Sequence, residues 1–149
     1  MSAANHTSAT HAQAFFLLCG RELGRGMSRV VYECKLDPTL VVKVEETAGQ
    51  FQNVIEWETW KRVQDTPYSR WFAKPHSISD NSCILLMERT QPPQPQQFLP
   101  QMPVFLCDFK RTNFGMSGKW LVCHDYGTNL LFEHGMTKRM RKADWYDAT

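Results

Sequence analysis

The chain has 149 residues, 42% of them hydrophobic and 21% charged, a balance that sets aside disordered and fibrous classes and suits one compact domain or two small lobes. A chain of this length buries roughly 70% of its unfolded surface and folds without staples. The net charge of +2 is too small to demand a nucleic-acid partner, and the basic residues Lys138, Arg139, Arg141 and Lys142 read as a solvated helix face. The five cysteines, Cys19, Cys34, Cys83, Cys107 and Cys123, are odd in number and scattered, with no Cys-x-x-Cys pair. That pattern argues against a disulfide framework or a zinc site and for a reducing cytoplasm.

Residues 1–12, rich in Ser, Thr, Ala and His without an apolar period, read as a loose tail. The apolar run at 14–19 is far shorter than a membrane span and has no basic flank before it, so neither a signal peptide nor an anchor is expected. Residues 15–23 read as a strand, Gly24-Arg25-Gly26 as a turn, and 29–36 as the hairpin partner. Leu40-Val41-Val42-Lys43-Val44 reads as a third antiparallel strand with a charge on one face. A helix is expected over 50–64, free of Gly and Pro and stopped by Pro67. Strands at 71–79 and 82–88, joined by Asp80-Asn81, complete a five-stranded antiparallel sheet with one helix, an α+β class. Residues 91–103, mostly Gln and Pro, read as a linker without ladder donors or helix. Beyond it come a loop at 104–113, a turn near Ser117-Gly118, a return strand from Trp120 to Cys123, and a short helix at about 136–146.

Chemistry concentrates in Asp108-Phe109-Lys110-Arg111-Thr112-Asn113 and, after the hairpin, Asp125-Tyr126-Gly127. An Asp-x-Lys-x-x-Asn loop can supply a carboxylate that accepts a hydroxyl proton, an ammonium that offsets charge on a moving phosphoryl group, and an amide that holds a metal ion. The second Asp supplies another metal contact, and the Gly after it lets the backbone turn sharply away. His124 reads as a strand residue rather than a ligand, and nothing marks Cys107 or Cys123 as a nucleophile.

Leu23-Gly24-Arg25-Gly26-Met27-Ser28-Arg29-Val30-Val31-Tyr32, the Val-Val-Lys-Val strand and these loops occur in an order and spacing that resemble the protein kinase-like superfamily from about residue 18 to 127. Asn53-Val54-Ile55-Glu56 and Asp125-Tyr126-Gly127 are similar to motifs of the very small kinase-like proteins encoded by tailed bacteriophages. The resemblance implies a kinase-like N-lobe at 13–90, a linker at 91–103 and a much reduced C-lobe at 104–149. It implies that Gly24, Gly26 and Ser28 cover the phosphates of ATP, with Arg29 where the last glycine of the loop would stand. Lys43 would pair with the α and β phosphates and with Glu56, in preference to Glu58, and the backbone from Glu88 to Thr90 would meet the adenine edge. Asp108 would be the base, Lys110 a charge stabiliser, and Asn113 and Asp125 the ligands of Mg2+.

Departures accompany the matches. The stretch 90–104 leaves room only for a linker, Leu106-Cys107 stands where His-Arg is expected, and the 22 residues after Gly127 lack an Ala-Pro-Glu motif. The resulting expectation is a minimal kinase-like protein that binds Mg-ATP and transfers phosphate to a protein hydroxyl of its own or of a host, in the host cytoplasm if phage-encoded. The alternative is a catalytically weak or inactive binding module, a pseudokinase, that blocks a host protein through Trp57, Trp71, Trp145 and Tyr146. No membrane association is expected, and a homodimer could cover apolar surface left by the reduced lobe.

Overall fold

The computed structural model describes residues 13, 15–45 and 51–148, so the expected tail lies outside the described residues. Strand alternation organises the first sheet. From β2 (Arg29–Cys34) and β3 (Leu40–Glu45), Val30, Tyr32, Cys34 and Val42 enter one small apolar cluster, while Val41 enters a larger one on the opposite face, the face that also carries Arg29, Lys43 and Glu45. β1 (Cys19–Arg25) pairs with β2, β2 with β3, β3 with β5 (Ile84–Glu88), and β5 with β4 (Pro75–Ile78), all antiparallel. This five-stranded antiparallel sheet with few helices is the α+β class read from the sequence.

Helix α1 (Gln52–Val63) turns Asn53, Glu56, Thr59 and Val63 inward at helical spacing. Its N-cap residue, Phe51, has φ 57° and offers no side-chain cap. Glu45 at the end of β3 does so instead, accepting from the Gln52 and Asn53 amides at 2.8 and 3.0 Å, so an anion sits at the positive end of the helix.

The remaining chain forms two small ladders, β6 (Gln101–Pro103) with β9 (Met140–Lys142) and β7 (Phe114–Ser117) with β8 (Trp120–Cys123), and a single helical turn α2 (Leu131–His134). The larger cluster runs through both parts, joining Val41, Val63, Leu85 and Met87 to Phe105, Phe109, Phe114, Leu121 and Tyr126. Among the described residues no helix is long and apolar enough to cross a membrane.

Four local expectations are corrected. Residues 15–18 are helical rather than extended, which lays Phe15 edge-on against Tyr32 at 5.2 Å and Leu18 on the small cluster. The strand expected at 71–79 is shortened by a 3-10 turn at Pro67–Trp71, started by its proline, and a strand forms only at Pro75–Ile78. The 91–103 stretch does carry ladder donors: Gln91 exchanges both backbone bonds with Met116 at 3.0 and 2.7 Å, and β6 pairs with β9. No helix forms over 136–146, because β6 offers that segment a strand partner and Gly135, with φ 70°, ends α2 before it. Arg141 is therefore not on a solvated helix face; it donates to the Leu106 carbonyl at 2.9 Å with its guanidinium 4.6 Å from the Phe109 ring centre.

Candidate active site

Glu56 is the hub of a buried charge network. Its Oε1 accepts from Lys43 Nζ and Arg29 Nη1, both at 2.8 Å, and its Oε2 from Arg29 Nη2 at 2.7 Å and from the Tyr126 and Gly127 amides at 2.9 and 3.0 Å. One carboxylate on α1 thus ties β2, β3 and the Asp125-Tyr126-Gly127 segment together. Glu58, the other carboxylate of the helix, is exposed and lies 3.5 Å from Lys61. Asn53 supports the same network, accepting from Arg29 Nη1 at 3.1 Å and donating to the Lys43 and Ser82 carbonyls at 3.2 and 3.0 Å. Lys43 Nζ also donates to the His124 carbonyl, and Arg29 Nη2 reaches the half-exposed Asp125 Oδ1 at 2.8 Å.

Electrostatics follow from one carboxylate shared by two cations. Burial pushes the Glu56 carboxyl up, but Lys43 and Arg29 overcome it and hold the group at about 2. Burial pushes the Lys43 ammonium below its usual range; Glu56 opposes this and Arg29 reinforces it. Burial acts on Arg29 in the same sense, yet Glu56 and Asp125 outweigh it and the guanidinium is held charged more firmly than usual. Arg29 and Lys43 against Glu56 and Asp125 sum to zero, which makes burial of the first three tolerable.

The second half of the site hangs on Asn113. Its carbonyl accepts from the His124 and Asp125 amides at 2.9 and 3.3 Å, so the β7–β8 hairpin returns Asp125 beside the loop that begins at Asp108. Its Nδ2 donates to the Asp108 carbonyl and to Asp108 Oδ2, both at 3.1 Å. Asp108 is exposed with φ 53°, a left-handed backbone that Asp tolerates better than most residues and that is common where side chains are held for function. Its Oδ1 accepts from the Tyr146 hydroxyl. The Lys110 backbone carbonyl accepts from the Asn113 amide at 2.9 Å, closing the 3-10 turn at Arg111–Asn113, while its half-buried side chain takes no hydrogen bond or ion pair among the described residues.

Among the described residues Asp125 Oδ2 and Asn113 Oδ1 are left as oxygen donors, and no group of three or more His, Cys, Asp or Glu could hold a metal alone. That donor set suits Mg2+, which commonly takes one or two protein oxygens and completes its shell with water and phosphate. His124 is not a ligand: Nε2 lies 2.7 Å from the Thr112 carbonyl, so it carries the proton, and Nδ1 accepts from the Thr90 hydroxyl at 2.7 Å. Burial raises both Cys107 and Cys123, Cys123 strongly, which removes thiolate character from each.

Gly24 and Gly26 lie outside the left-handed region; a Cβ at Gly24 would meet nothing within 4 Å, and one at Gly26 only the Arg29 carbonyl at 3.8 Å. Neither the turn nor the packing requires glycine there, and Ser28 is half-buried beside them. Gly127 serves a different end from the sharp turn expected of it. Its φ is not left-handed, and a Cβ would lie 3.2 Å from Gln52 Cβ and 1.9 Å from Gln52 Oε1. At the segment expected to meet adenine, the Glu88 amide donates to the Lys74 carbonyl at 2.9 Å and the Arg89 amide to the Thr39 carbonyl at 2.8 Å. A surface cavity of about 400 Å³ lies elsewhere, between α1 and residues 127–133, lined by Ile55, Thr59, Arg62 and Phe132 among others and by none of the predicted site residues.

Of the four aromatics expected at a contact surface, only Tyr146 is exposed. Trp71 is buried, Trp57 and Trp145 pack on the core, and Tyr146 is engaged by Asp108. Arg29 and Tyr146 were not foreseen in the site. Alternation along β2 places Arg29 on the Lys43 face and so could have flagged it, whereas Tyr146 meets a carboxylate 38 residues away with no local signal.

No protein-family model matches this sequence, and a search of curated proteins found no match. Among solved structures, the chain is similar to one described as a streptomycin-ATP-APH(2'')-IIa ternary complex, at 16% identity and a TM-score of 0.44. The similarity covers 63% of this chain and 31% of that one.

Proposed function

We propose that the chain binds Mg-ATP and transfers the terminal phosphate to a protein hydroxyl. The observation that carries this reading is the Glu56 hub, which holds Lys43 at 2.8 Å while binding the backbone of Tyr126 and Gly127, so that a strand cation and the Asp125 carboxylate face one site. Lys43 holds the α and β phosphates, and the open backbone at Gly24 and Gly26 lets a polyphosphate approach without meeting a Cβ. Asn113 and Asp125 hold Mg2+, which when bound neutralises charge on the phosphate oxygens. Asp108, oriented through Oδ2 by Asn113, accepts the hydroxyl proton, and the Lys110 ammonium, which takes no ion pair among the described residues, offsets charge on the moving phosphoryl group. Five free cysteines suit a reducing cytoplasm.

The test is labelling with radioactive ATP and magnesium, wild type beside Asp125→Ala. Labelling that depends on Asp125 is expected; equal labelling of both proteins would overturn the enzymatic reading.

A further inference from the structure

Tyr146 stands in an unusual place for an exposed aromatic. It is 46% exposed, so its own burial does not hold it, yet its hydroxyl donates to Asp108 Oδ1. Its neighbours do the holding. The segment runs parallel to the catalytic loop as an extended bridge at Lys110, with the Tyr146 amide donating to the Phe109 carbonyl at 3.0 Å and the Arg111 amide to the Tyr146 carbonyl at 2.9 Å. On one side Trp145 is anchored by its Nε1 on the Leu99 carbonyl at 2.7 Å and by edge contacts with Phe98, Phe109 and Phe114 at 4.9, 5.3 and 4.9 Å. On the other side Asp147 pairs with Arg111 at 3.1 Å. The chain thus presents an extended segment to its own catalytic loop with one hydroxyl on the loop's carboxylate.

We infer that Tyr146 is an intramolecular phosphate acceptor, aligned on Asp108 by Trp145, Asp147 and the backbone bridge to residues 109–111. The inference rests on the reading of Asp108 as the base of a nucleotide-dependent phosphotransfer site. In the step, the Tyr146 hydroxyl gives its proton to Asp108, and its oxygen bonds to the terminal phosphorus of a nucleoside triphosphate. The bond from that phosphorus to the bridging oxygen breaks, and its electron pair leaves with the nucleoside diphosphate. The hydrogen bond to the Asp108 carboxylate also pushes the phenol above its usual range, so the proton stays on the oxygen until the carboxylate takes it. The product phosphate then carries about −1.5 to −2 charge beside Asp108 and is repelled from it.

The experiment incubates the full chain with radioactive ATP and magnesium, maps labelled residues by mass spectrometry, and measures binding of a fluorescent ATP analogue in parallel. The variants are Tyr146→Phe, which removes only the hydroxyl, and Trp145→Phe, which loses the Leu99 anchor but keeps Tyr146. Expected are label on Tyr146 of wild type at a rate per molecule independent of protein concentration, loss of that label in Tyr146→Phe with analogue binding unchanged, and slower labelling in Trp145→Phe. Analogue binding without label on Tyr146, or a labelling rate that rises with protein concentration, overturns the inference and leaves the nucleotide-binding reading standing. Absence of analogue binding by the wild type overturns both.

Discussion

Arg29→Met isolates the buried charge network. It removes two hydrogen bonds to Glu56, one to Asn53 and one to Asp125, while Met keeps much of the apolar stem. Breaking a buried ion pair by deleting one partner costs about 3–5 kcal/mol, because the surviving charge is left uncompensated. Glu56 retains Lys43 and two backbone amides, which places its share at about 3 kcal/mol, the lower end of that range. Loss of the half-exposed pair with Asp125 adds at most about 1 kcal/mol. With a urea m-value of about 2 kcal/mol per molar, the unfolding midpoint should fall by about 1.5–2 M. A domain with about 5–15 kcal/mol of stability stays folded through this loss. Urea titration followed by tryptophan fluorescence measures it, and the double variant Arg29→Met/Glu56→Gln should be less destabilised than the sum of the single variants by about 1–3 kcal/mol. A midpoint shift below about 0.5 M, or an additive cycle, would refute Arg29 as the partner that keeps Glu56 ionised in the interior.

Acid should act through the same carboxylate. Glu56 is held at about 2 in the folded chain against an ordinary 4.5, so the unfolded chain binds more protons between those values. Its contribution is complete above about pH 4.5 and is lost as pH falls toward 2. Urea midpoints measured across that window should decline in wild type and lose most of the slope in Glu56→Gln. Gly115→Ala places a Cβ 2.1 Å from Thr90 Oγ1 and 2.5 Å from Thr90 Cβ, so it should disrupt the Thr90–His124 bond. The expected loss is about 1–3 kcal/mol by thermal unfolding. Gly24→Ala meets nothing within 4 Å and should leave the melting temperature unchanged while weakening ATP-analogue binding; unchanged binding would count against phosphates lying over that loop. Asp125→Ala removes one half-exposed ion pair and should shift stability by no more than about 1 kcal/mol, so a large loss would point to a structural role for Asp125.

The pairing of β3 with β2 and the choice of Glu56 over Glu58 were open to sequence reading because both are local patterns, whereas the pairing of β3 with β5 is not local. Alternation put Lys43 on one strand face, and the apolar residues that follow Glu56 at helical spacing marked it as the inward carboxylate. The β7–β8 hairpin was legible for the same reason, since Gly118, at φ 57°, sits between two short runs that pair with each other. The helix expected at 136–146 failed because its residues suit either state; what chose the strand was β6, almost 40 residues earlier in the chain. The expectation that 91–103 lacks ladder donors failed for the related reason that some of its non-proline residues found partners on Met116 and on β9.

By itself the sequence determined that β3 carries its lysine on one face and which residue types gather near the loops, because side-chain direction repeats with the period of the backbone. Only the tertiary structure decided that Arg29 and Lys43 share one carboxylate and that Tyr146 lies on Asp108. Those contacts join segments 13 to 38 residues apart, where the backbone period carries no information about which surface will cover which.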